Sequence, residues 1–250
     1  MRLSRLHRTF ALGLALVPAL FPLAAQAPTA EAQAAASAGN RDYAALIGDF
    51  PRPGSDAAKA DQAILLWLQT TRTEEEVRRA QCEAHIHLGV FSRTAGVDLE
   101  SPRFPLTQAL AEDLRQAMSG VTGKLKLQFN RPRPYLAIPE LKPALPLEPS
   151  RSYPSGHSAW GMVEANLLAA LDPGRREAFL VRGRLVGYDR VLGGVHYPSD
   201  VQAGLRLGQA FAEAWLAMPA NRQRVEQART AEWSLLKDAP LIGQSAAAGD

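Results

Sequence analysis

Apolar side chains recur at helical spacing along most of the chain, and no stretch alternates apolar and polar residues as a half-buried strand does. Ser55 or Asp56 can cap the first helix, Thr73 with Glu76 forms a capping box that opens the second, and Pro198 opens a later one. Their apolar positions are Ala60, Ile64, Trp67 and Leu68, then Val77, Ala80, Ala84 and Leu88, then Val201, Leu205, Leu207, Phe211 and Trp215. The pattern predicts an all-α fold.

A further helix is predicted from Pro105, with apolar residues every four positions at Leu106, Leu110, Leu114 and Met118. Gly120 and Gly123 are candidate breaks, after which a short helix is predicted over Lys124–Asn130. The prolines that follow should end this helix, because the residue before a proline is driven out of the helical region.

The residues from Ser155 to Leu171 are apolar almost all round, which predicts a buried central helix. Asp172 and Pro173 supply an N-cap and a first residue for the next helix, which Gly193 and Gly194 close. At 250 residues, these elements predict a single-domain helical bundle.

Three segments complete the prediction. Arg41–Ser55 should be extended, and Ala137–Tyr153, which contains four prolines, should be a loop. A more polar last helix is predicted over Asn221–Leu236.

The first 27 residues have the pattern of a secretory signal peptide: three arginines, an apolar run and the box Ala25-Gln26-Ala27. Cleavage as late as Ala34 is one alternative, and a retained N-terminal anchor is another. The rest is predicted to comprise a disordered leader (28–40), a helical domain (41–240) and a flexible tail (241–250). The expected location is the periplasm or the exterior.

Loss of that peptide changes the charge of the protein. The formal net charge of +3 falls to about zero (3 − 3) when its three arginines are removed, so nucleic acid is not an expected partner. Cys82 is the single cysteine, which excludes an intramolecular disulfide. No later run approaches 18 uncharged apolar residues, so stable membrane insertion is not expected.

His196 and Asp200 are four residues apart where a helix is predicted to begin, close enough for contact. A carboxylate that binds one imidazole nitrogen fixes the tautomer and leaves the lone pair of the other nitrogen free to attack phosphorus. A purely structural contact is the alternative for this pair alone.

The start of the predicted central helix reads Pro-Ser-Gly-His at residues 154–157. The free N–H groups of a helix N-terminus favour an anion, Gly156 allows close approach, and Ser155 adds a hydroxyl donor. His157 could protonate a leaving oxygen. A plain helix start is the alternative.

A basic run at residues 124–134 holds two registers of a lysine followed seven residues later by Arg-Pro. The first is Lys124 with Arg131, and the second is Lys126 with Arg133. On a helix they would point to opposite faces, so only one can line a pocket. Arginine forks suit the oxygens of a transferring phosphoryl group, and a solvated basic face is the alternative.

In order and spacing, these motifs resemble the type 2 phosphatidic acid phosphatase superfamily, whose pattern is Lys-x6-Arg-Pro, Pro-Ser-Gly-His and Ser-Arg-x5-His-x3-Asp. Within it, the chain looks most like the soluble, exported class A non-specific acid phosphatases. The resemblance covers roughly Ala44–Met218 and implies the helical fold that acid phosphatases share with vanadium haloperoxidases.

Position by position, the resemblance implies that His196 is the nucleophile, Asp200 its orienting carboxylate and His157 the general acid. The phosphate ligands it implies are Lys126, Arg133, Ser155, Gly156 and Arg190. The second register is favoured because similar family members read Asn-Arg-Pro-Arg-Pro there. Asp189 replaces the serine of the family pattern, and its acid could either weaken phosphate binding or hold Arg190 in place.

The expected activity is that of an exported, metal-independent acid phosphatase that hydrolyses small phosphate monoesters through a phosphohistidine, with an acidic optimum and inhibition by vanadate. No cofactor is expected, and Cys82, His85 and His87 are too few and badly spaced for a closed zinc site. The alternatives are a vanadium-dependent haloperoxidase, a lipid-phosphate phosphatase of the membrane and a non-catalytic phosphate-binding protein on the same scaffold. The resemblance also allows a homo-oligomer.

Overall fold

The computed structural model describes residues 41–236, and within this range the chain is helical without a β-strand. The ten α-helices of this range are α1 (Tyr43–Ile47), α2 (Asp56–Thr71), α3 (Glu74–Cys82), α4 (Ser92–Ala95), α5 (Pro105–Phe129), α6 (Pro134–Ala137), α7 (Gly156–Leu171), α8 (Arg176–Leu192), α9 (Pro198–Ala217) and α10 (Pro219–Ala228). Short 3-10 helices occupy Leu88–Phe91, Pro173–Arg175 and Ser234–Leu236, and a π-helical turn occupies Arg229–Trp233. The all-α prediction is confirmed.

The predicted signal peptide (1–27), leader (28–40) and tail (241–250) lie outside the described residues, as do the last residues of the predicted domain, 237–240. These boundaries stay predictions.

Helix α7 is the centre of the fold. Every residue from His157 to Ala169 is buried, so the predicted buried central helix is confirmed. The helix packs along α8 and α9. Its contact with α8 is close, because a Cβ at Gly161 would lie only 2.8 Å from the Gly183 carbonyl oxygen. At its start, the Ser155 N–H donates to the Asp200 carbonyl at 3.0 Å, which brings the first turns of α7 and α9 together.

Helix α5 is continuous over 25 residues, so the predicted break at Gly120 and Gly123 is wrong. A Cβ at either glycine would meet nothing within 4 Å, and each costs the helix only about 1 kcal/mol relative to alanine. Burial of Leu110, Leu114 and Met118 on the opposite face outweighs that cost. The helix ends at Phe129, and its C-cap Asn130 has a left-handed φ of 51°, so the chain turns there into Arg131.

Helix α2 is rotated relative to the predicted stripe. Its buried residues are Asp61, Leu65 and Leu68, whereas Ile64 and Trp67 are 41% and 62% exposed. The reason is an ion pair, since the buried carboxylate of Asp61 lies 3.1 Å from a nitrogen of Arg131. That contact sets which face of α2 turns inward.

Other boundaries differ by a turn or more. Residues 41–55, predicted as extended, contain α1, whose first turn is capped by the Asp42 carboxylate at 2.9 Å from the Ala45 N–H. Helix α3 stops at Cys82 rather than reaching Leu88, because Glu83 turns inward to pair with Arg182 of α8. The predicted last helix begins earlier, at residue 219, and passes into the π-helical turn at residue 229.

Candidate active site

His196 and Asp200 are in contact at the N-terminus of α9. The Nδ1 atom of His196 lies 3.2 Å from Oδ2 of Asp200. Pro198 is the first residue of α9, and the Asp200 carboxylate reaches back to accept the Tyr197 N–H at 2.9 Å. This is the contact that a carboxylate at the third helical position makes in a capping box. The start of the helix therefore fixes Asp200 beside the imidazole.

Arg133 defines the tautomer of His196. Its Nη1 lies 2.9 Å from Nε2 of His196, and a guanidinium can only donate, so Nε2 is the acceptor. The ring proton therefore sits on Nδ1 and points at Asp200. The pKa of His196 lies well below its usual value, mainly because the ring is buried and secondly because Arg133 is positively charged. The ring is neutral with its lone pair on Nε2, which is the state a nucleophile requires.

Behind Asp200 lies a set of paired groups that we call the rear network: Ser152, Asp200, Arg131, Asp61 and Ser199. Arg131 donates to Asp200 and Ser199 at 2.7 Å each, and to Asp61 at 3.1 Å. Ser152 donates to Asp200 at 2.5 Å, and Ser199 donates to Asp61. Burial raises the pKa of Asp200, but the Arg131 charge and these hydrogen bonds oppose that rise. Every charge in the network has an opposite charge beside it.

The two registers of the basic run take different positions. Arg131 belongs to the rear network, and Lys124 is exposed on α5. Lys126 instead donates from Nζ to the Arg151 carbonyl at 2.6 Å, in the loop that leads to α7. Burial, and then the charge of Arg133, lower the pKa of Lys126 to about 8. We call Lys126, Arg133 and Arg190 the cationic pocket.

Arg190, near the end of α8, is the third cation of this pocket. Only 1% of the residue is exposed, yet its Nε and Nη1 nitrogens have no hydrogen-bond partner. Buried donors without a partner are rare in folded proteins and cost stability. The guanidinium is therefore arranged to receive acceptors that its own chain does not fully supply.

The side chain of Glu148, from the loop between α6 and α7, lies in the cationic pocket. One carboxylate oxygen is 2.5 Å from Nη2 of Arg190, and the other is 2.6 Å from Nη2 of Arg133. Burial raises the pKa of Glu148, but the charges of Arg133 and Arg190 outweigh it and lower the pKa to about 2. The carboxylate is thus ionised and bridges the two arginines.

The start of α7 adjoins the same pocket. The Ser155 hydroxyl oxygen accepts from the Ser158 N–H at 3.3 Å and from the Ser158 hydroxyl at 2.8 Å. Its own proton remains available for donation. A Cβ at Gly156 would lie 4.0 Å from Cε of Lys126, so this glycine faces the lysine stem.

His157, in the first turn of α7, lies beside Glu148. Its Nε2 lies 3.2 Å from the Ala84 carbonyl oxygen, which can only accept, so the ring proton is on Nε2. Its Nδ1 lies 3.9 Å from a carboxylate oxygen of Glu148. Burial, and after it the charge of Arg190, lower the pKa of His157 to about 3. In the free protein, Nδ1 is an unprotonated nitrogen that faces the pocket.

Asp189 points away from Arg190. Its buried carboxylate forms two hydrogen bonds with Arg79 of α3, at 2.9 and 2.6 Å. Asp189 therefore does not position the Arg190 guanidinium, and it does not place an unpaired negative charge in the pocket. It joins α3 to α8 instead.

All eight residues singled out from the sequence lie in one connected cluster, and their roles stay predictions. Four residues of the cluster were not predicted from the sequence: Ser152, Asp61, Ser199 and Glu148. Arg131 was considered only as a phosphate ligand. Asp61 carried a usable signal, because an acid within an apolar stripe is usually a paired buried charge. Glu148 had no signal, since it is one acid in a loop rich in proline.

Residues 41–236 lack two features, a cluster of metal ligands and a membrane-spanning helix. No three histidine, cysteine, aspartate or glutamate side chains in that range are grouped so as to hold a metal ion. In the same part of the chain, no helix has the length and apolar character needed to cross a membrane.

Comparison with known families and proteins agrees with the motifs. The sequence model of the PAP2 (type 2 phosphatidic acid phosphatase) superfamily matches residues 114–224. A non-specific acid phosphatase of Providencia stuartii is 28% identical over 205 residues, which are 78% of this chain and 82% of that protein. An acid phosphatase of Zymomonas mobilis is 31% identical over 164 residues, 59% of this chain and 62% of that protein.

Solved structures share the fold at low sequence identity. A bacterial vanadium-dependent iodoperoxidase superposes with a TM-score of 0.56 and 17% identity, over 70% of this chain and 53% of that one. A bacterial vanadium-dependent chloroperoxidase gives a TM-score of 0.54 and 14% identity, over 76% and 53%. At these identities, the likeness concerns the fold alone.

Proposed function

Residues 114–224 form a PAP2 superfamily domain, and from this premise we propose that the protein is a metal-independent phosphomonoesterase that works through a phosphohistidine. The observation that carries the proposal is Arg190, a buried guanidinium with two nitrogens that lack a partner. Glu148 bridges it to Arg133, which in turn contacts Nε2 of His196. The similarity to proteins named acid phosphatases supports the same activity.

In the first step, the lone pair of His196 Nε2 forms a bond to phosphorus while the bond from phosphorus to the ester oxygen breaks. In the free protein, Nη1 of Arg133 donates a hydrogen bond to Nε2 of His196. When the ester enters, this N–H group must turn from Nε2 to a phosphoryl oxygen. Asp200 accepts a hydrogen bond from the Nδ1–H group and stabilises the positive charge that develops on the ring. Arg133, Arg190 and Lys126 hold the phosphoryl oxygens, together with Ser155 and the backbone at Gly156.

The doubly protonated form of His157 enters this step, and it supplies the proton for the leaving oxygen from Nδ1, the nitrogen that faces the pocket. In the second step, the same nitrogen takes a proton from water, whose oxygen attacks phosphorus. The bond from phosphorus to nitrogen breaks, and the electron pair returns to His196 Nε2. Inorganic phosphate leaves, and both rings regain their first states.

The low pKa of His157 supports an acidic optimum. Since burial and Arg190 disfavour the charged ring, the protonated fraction falls as pH rises above the pKa of His157. The negative charge of a bound ester should raise that pKa from its value of about 3 in the free protein. Turnover that needs protonated His157 should therefore decline from acidic towards alkaline pH.

The test is hydrolysis of p-nitrophenyl phosphate with EDTA present, with and without vanadate. Hydrolysis that resists EDTA and is inhibited by vanadate supports the proposal. A burst of p-nitrophenol supports the covalent step and excludes a non-catalytic phosphate-binding protein. Bromide oxidation by peroxide after addition of vanadate, with no phosphatase activity, would favour a haloperoxidase instead.

We also propose export, on the pattern of the first 27 residues. Mass spectrometry of protein recovered from a periplasmic fraction should show an N-terminus between residues 28 and 35. Recovery of the chain with Met1 in the membrane pellet would indicate a retained anchor.

A further inference from the structure

Glu148 meets the cationic pocket as an anionic ligand would. Its two oxygens each take one N–H, one from Arg133 at 2.6 Å and one from Arg190 at 2.5 Å. The chemistry proposed above requires both guanidinium groups to bind phosphoryl oxygens. The Glu148 carboxylate takes one Nη2 of each arginine and lies between them, so a phosphoryl group that is to contact both guanidinium groups must displace it.

The backbone at Glu148 is held in place independently of its carboxylate. The Tyr135 hydroxyl donates to the Glu148 carbonyl at 2.8 Å and accepts the Glu148 N–H at 3.2 Å. Nearby, Arg133 donates from Nε to the Ser150 carbonyl at 2.9 Å. The side chain can therefore leave the arginines by rotation about its own bonds while the loop stays where it is.

Glu148 also has space to move into. Its side chain is 28% exposed. It borders a cavity of about 340 Å³ whose other walls include Tyr135, Leu136 and Leu147. The two leucines are 70% and 63% exposed, so this cavity opens towards solvent.

We propose that Glu148 is a tethered competitor of the substrate: its carboxylate lies between Arg133 and Arg190, where the phosphoryl group would bind, and must rotate out before an ester can bind. This inference rests on the proposed function of the site. It gives Glu148 a role in the affinity for the phosphate ester and no role in the making or breaking of bonds. The occupied pocket lowers the apparent affinity for every displacing anion by one common factor, the fraction of time that the pocket is free.

The Glu148 carboxylate has a second, opposite effect, on the stability of the free protein. Without it, Arg133 and Arg190 would be two buried cations close together with no carboxylate between them. Their repulsion and desolvation would destabilise the fold. Glu148 therefore stabilises the free protein and weakens anion binding, and one substitution should reveal both effects.

The experiment compares Glu148→Gln and Glu148→Ala with the wild type, using inorganic phosphate and vanadate as probes and p-nitrophenyl phosphate as substrate. If the carboxylate occupies the pocket nine-tenths of the time, both variants should bind each anion about tenfold more tightly and show a similarly lower KM. The value of kcat should change less than KM. Without anions, both variants should melt at a lower temperature than the wild type, and saturating phosphate should remove most of that difference.

The matched control is Glu140→Gln, because Glu140 is an exposed acid in the same loop. It should change neither phosphate affinity nor melting temperature. Unchanged or weaker phosphate binding in both Glu148 variants would overturn the inference, and so would a large loss of kcat at unchanged KM, which would indicate a catalytic role. Phosphate affinity is measured without turnover, so a wild type that hydrolyses nothing would count against the proposed function and leave the inference to the binding data.

Discussion

The rear network and the cationic pocket flank the same imidazole, but they satisfy their charges in opposite ways. Arg131 in the rear network donates to two carboxylates and a hydroxyl, whereas Arg190 in the pocket leaves two buried nitrogens without a partner. A buried charge whose hydrogen-bonding atoms all have partners fixes the positions of the groups around it. A buried charge with unpaired donors can still bind a ligand. Arg131 and Arg133 are only two residues apart, so proximity in a motif does not decide which of the two tasks a residue performs.

The largest effect is expected at His196, the residue on which both regions act. His196→Ala removes the nucleophile and should lower kcat by at least about 10⁴-fold, as the loss of a nucleophile does in other covalent enzymes. Steady-state hydrolysis of p-nitrophenyl phosphate measures it, and His85→Ala, at an exposed histidine, is the control. Near-full turnover in the first variant would refute the assignment of the nucleophile.

Arg131→Met tests the rear network. The substitution leaves Asp61 and Asp200 buried without their cation, which should lower the free energy of unfolding by about 3–5 kcal/mol. Urea denaturation measures the loss, with Lys124→Met as the exposed control. The variant should still gain thermal stability from phosphate. Loss of phosphate binding at unchanged stability would show that the two regions are not separate.

Arg190→Ala tests the cationic pocket. Because this arginine contacts phosphoryl oxygens before and during the reaction, kcat should fall and KM should rise, with kcat/KM lower by about 10²–10³-fold. The stabilisation by phosphate seen in thermal melts should shrink as well. An unchanged KM would mean that the guanidinium contributes nothing to the binding of the ester.

The smallest effect is expected from the titration of Lys126. Its pKa is about 8 in the free protein, so the side chain is cationic below that pH and loses its charge as pH rises through it. A phosphate monoester is already a dianion there, since its second pKa is about 6. The KM should therefore rise a few-fold between pH 7 and 9. This rise should be absent in Lys126→Met, and its persistence there would assign the titration to another group.

The central helix and most helix starts could be predicted from the sequence because local chemistry decides them. Each helix start depends on a residue at that start: Ser155 and Thr73 form capping hydrogen bonds, and Pro198 has a fixed φ. The continuity of α5 could not be predicted, since burial on one face decided it against two glycines. The rotation of α2 depends on an ion pair with a residue seventy positions away, which helical periodicity does not reveal.

The candidate site divides in the same way. The eight residues of the motifs could be placed in one site because their spacing matches a known pattern. Asp61 and Ser199 could not, because their side chains belong to the site through hydrogen bonds from Arg131, which spacing does not reveal. Glu148 enters the pocket through the path of a loop, and no rule of periodicity or capping describes that path.

The carboxylate of Asp200 ties the reactivity of the imidazole to the nucleation of a helix. The same oxygen that accepts the Tyr197 N–H at the beginning of α9 accepts the ring proton of His196. A chain in which this helix has not begun therefore lacks the carboxylate that fixes the tautomer. Catalytic competence should appear only when the native beginning of that helix has formed, and partly folded chains without it should not be able to act on phosphate esters.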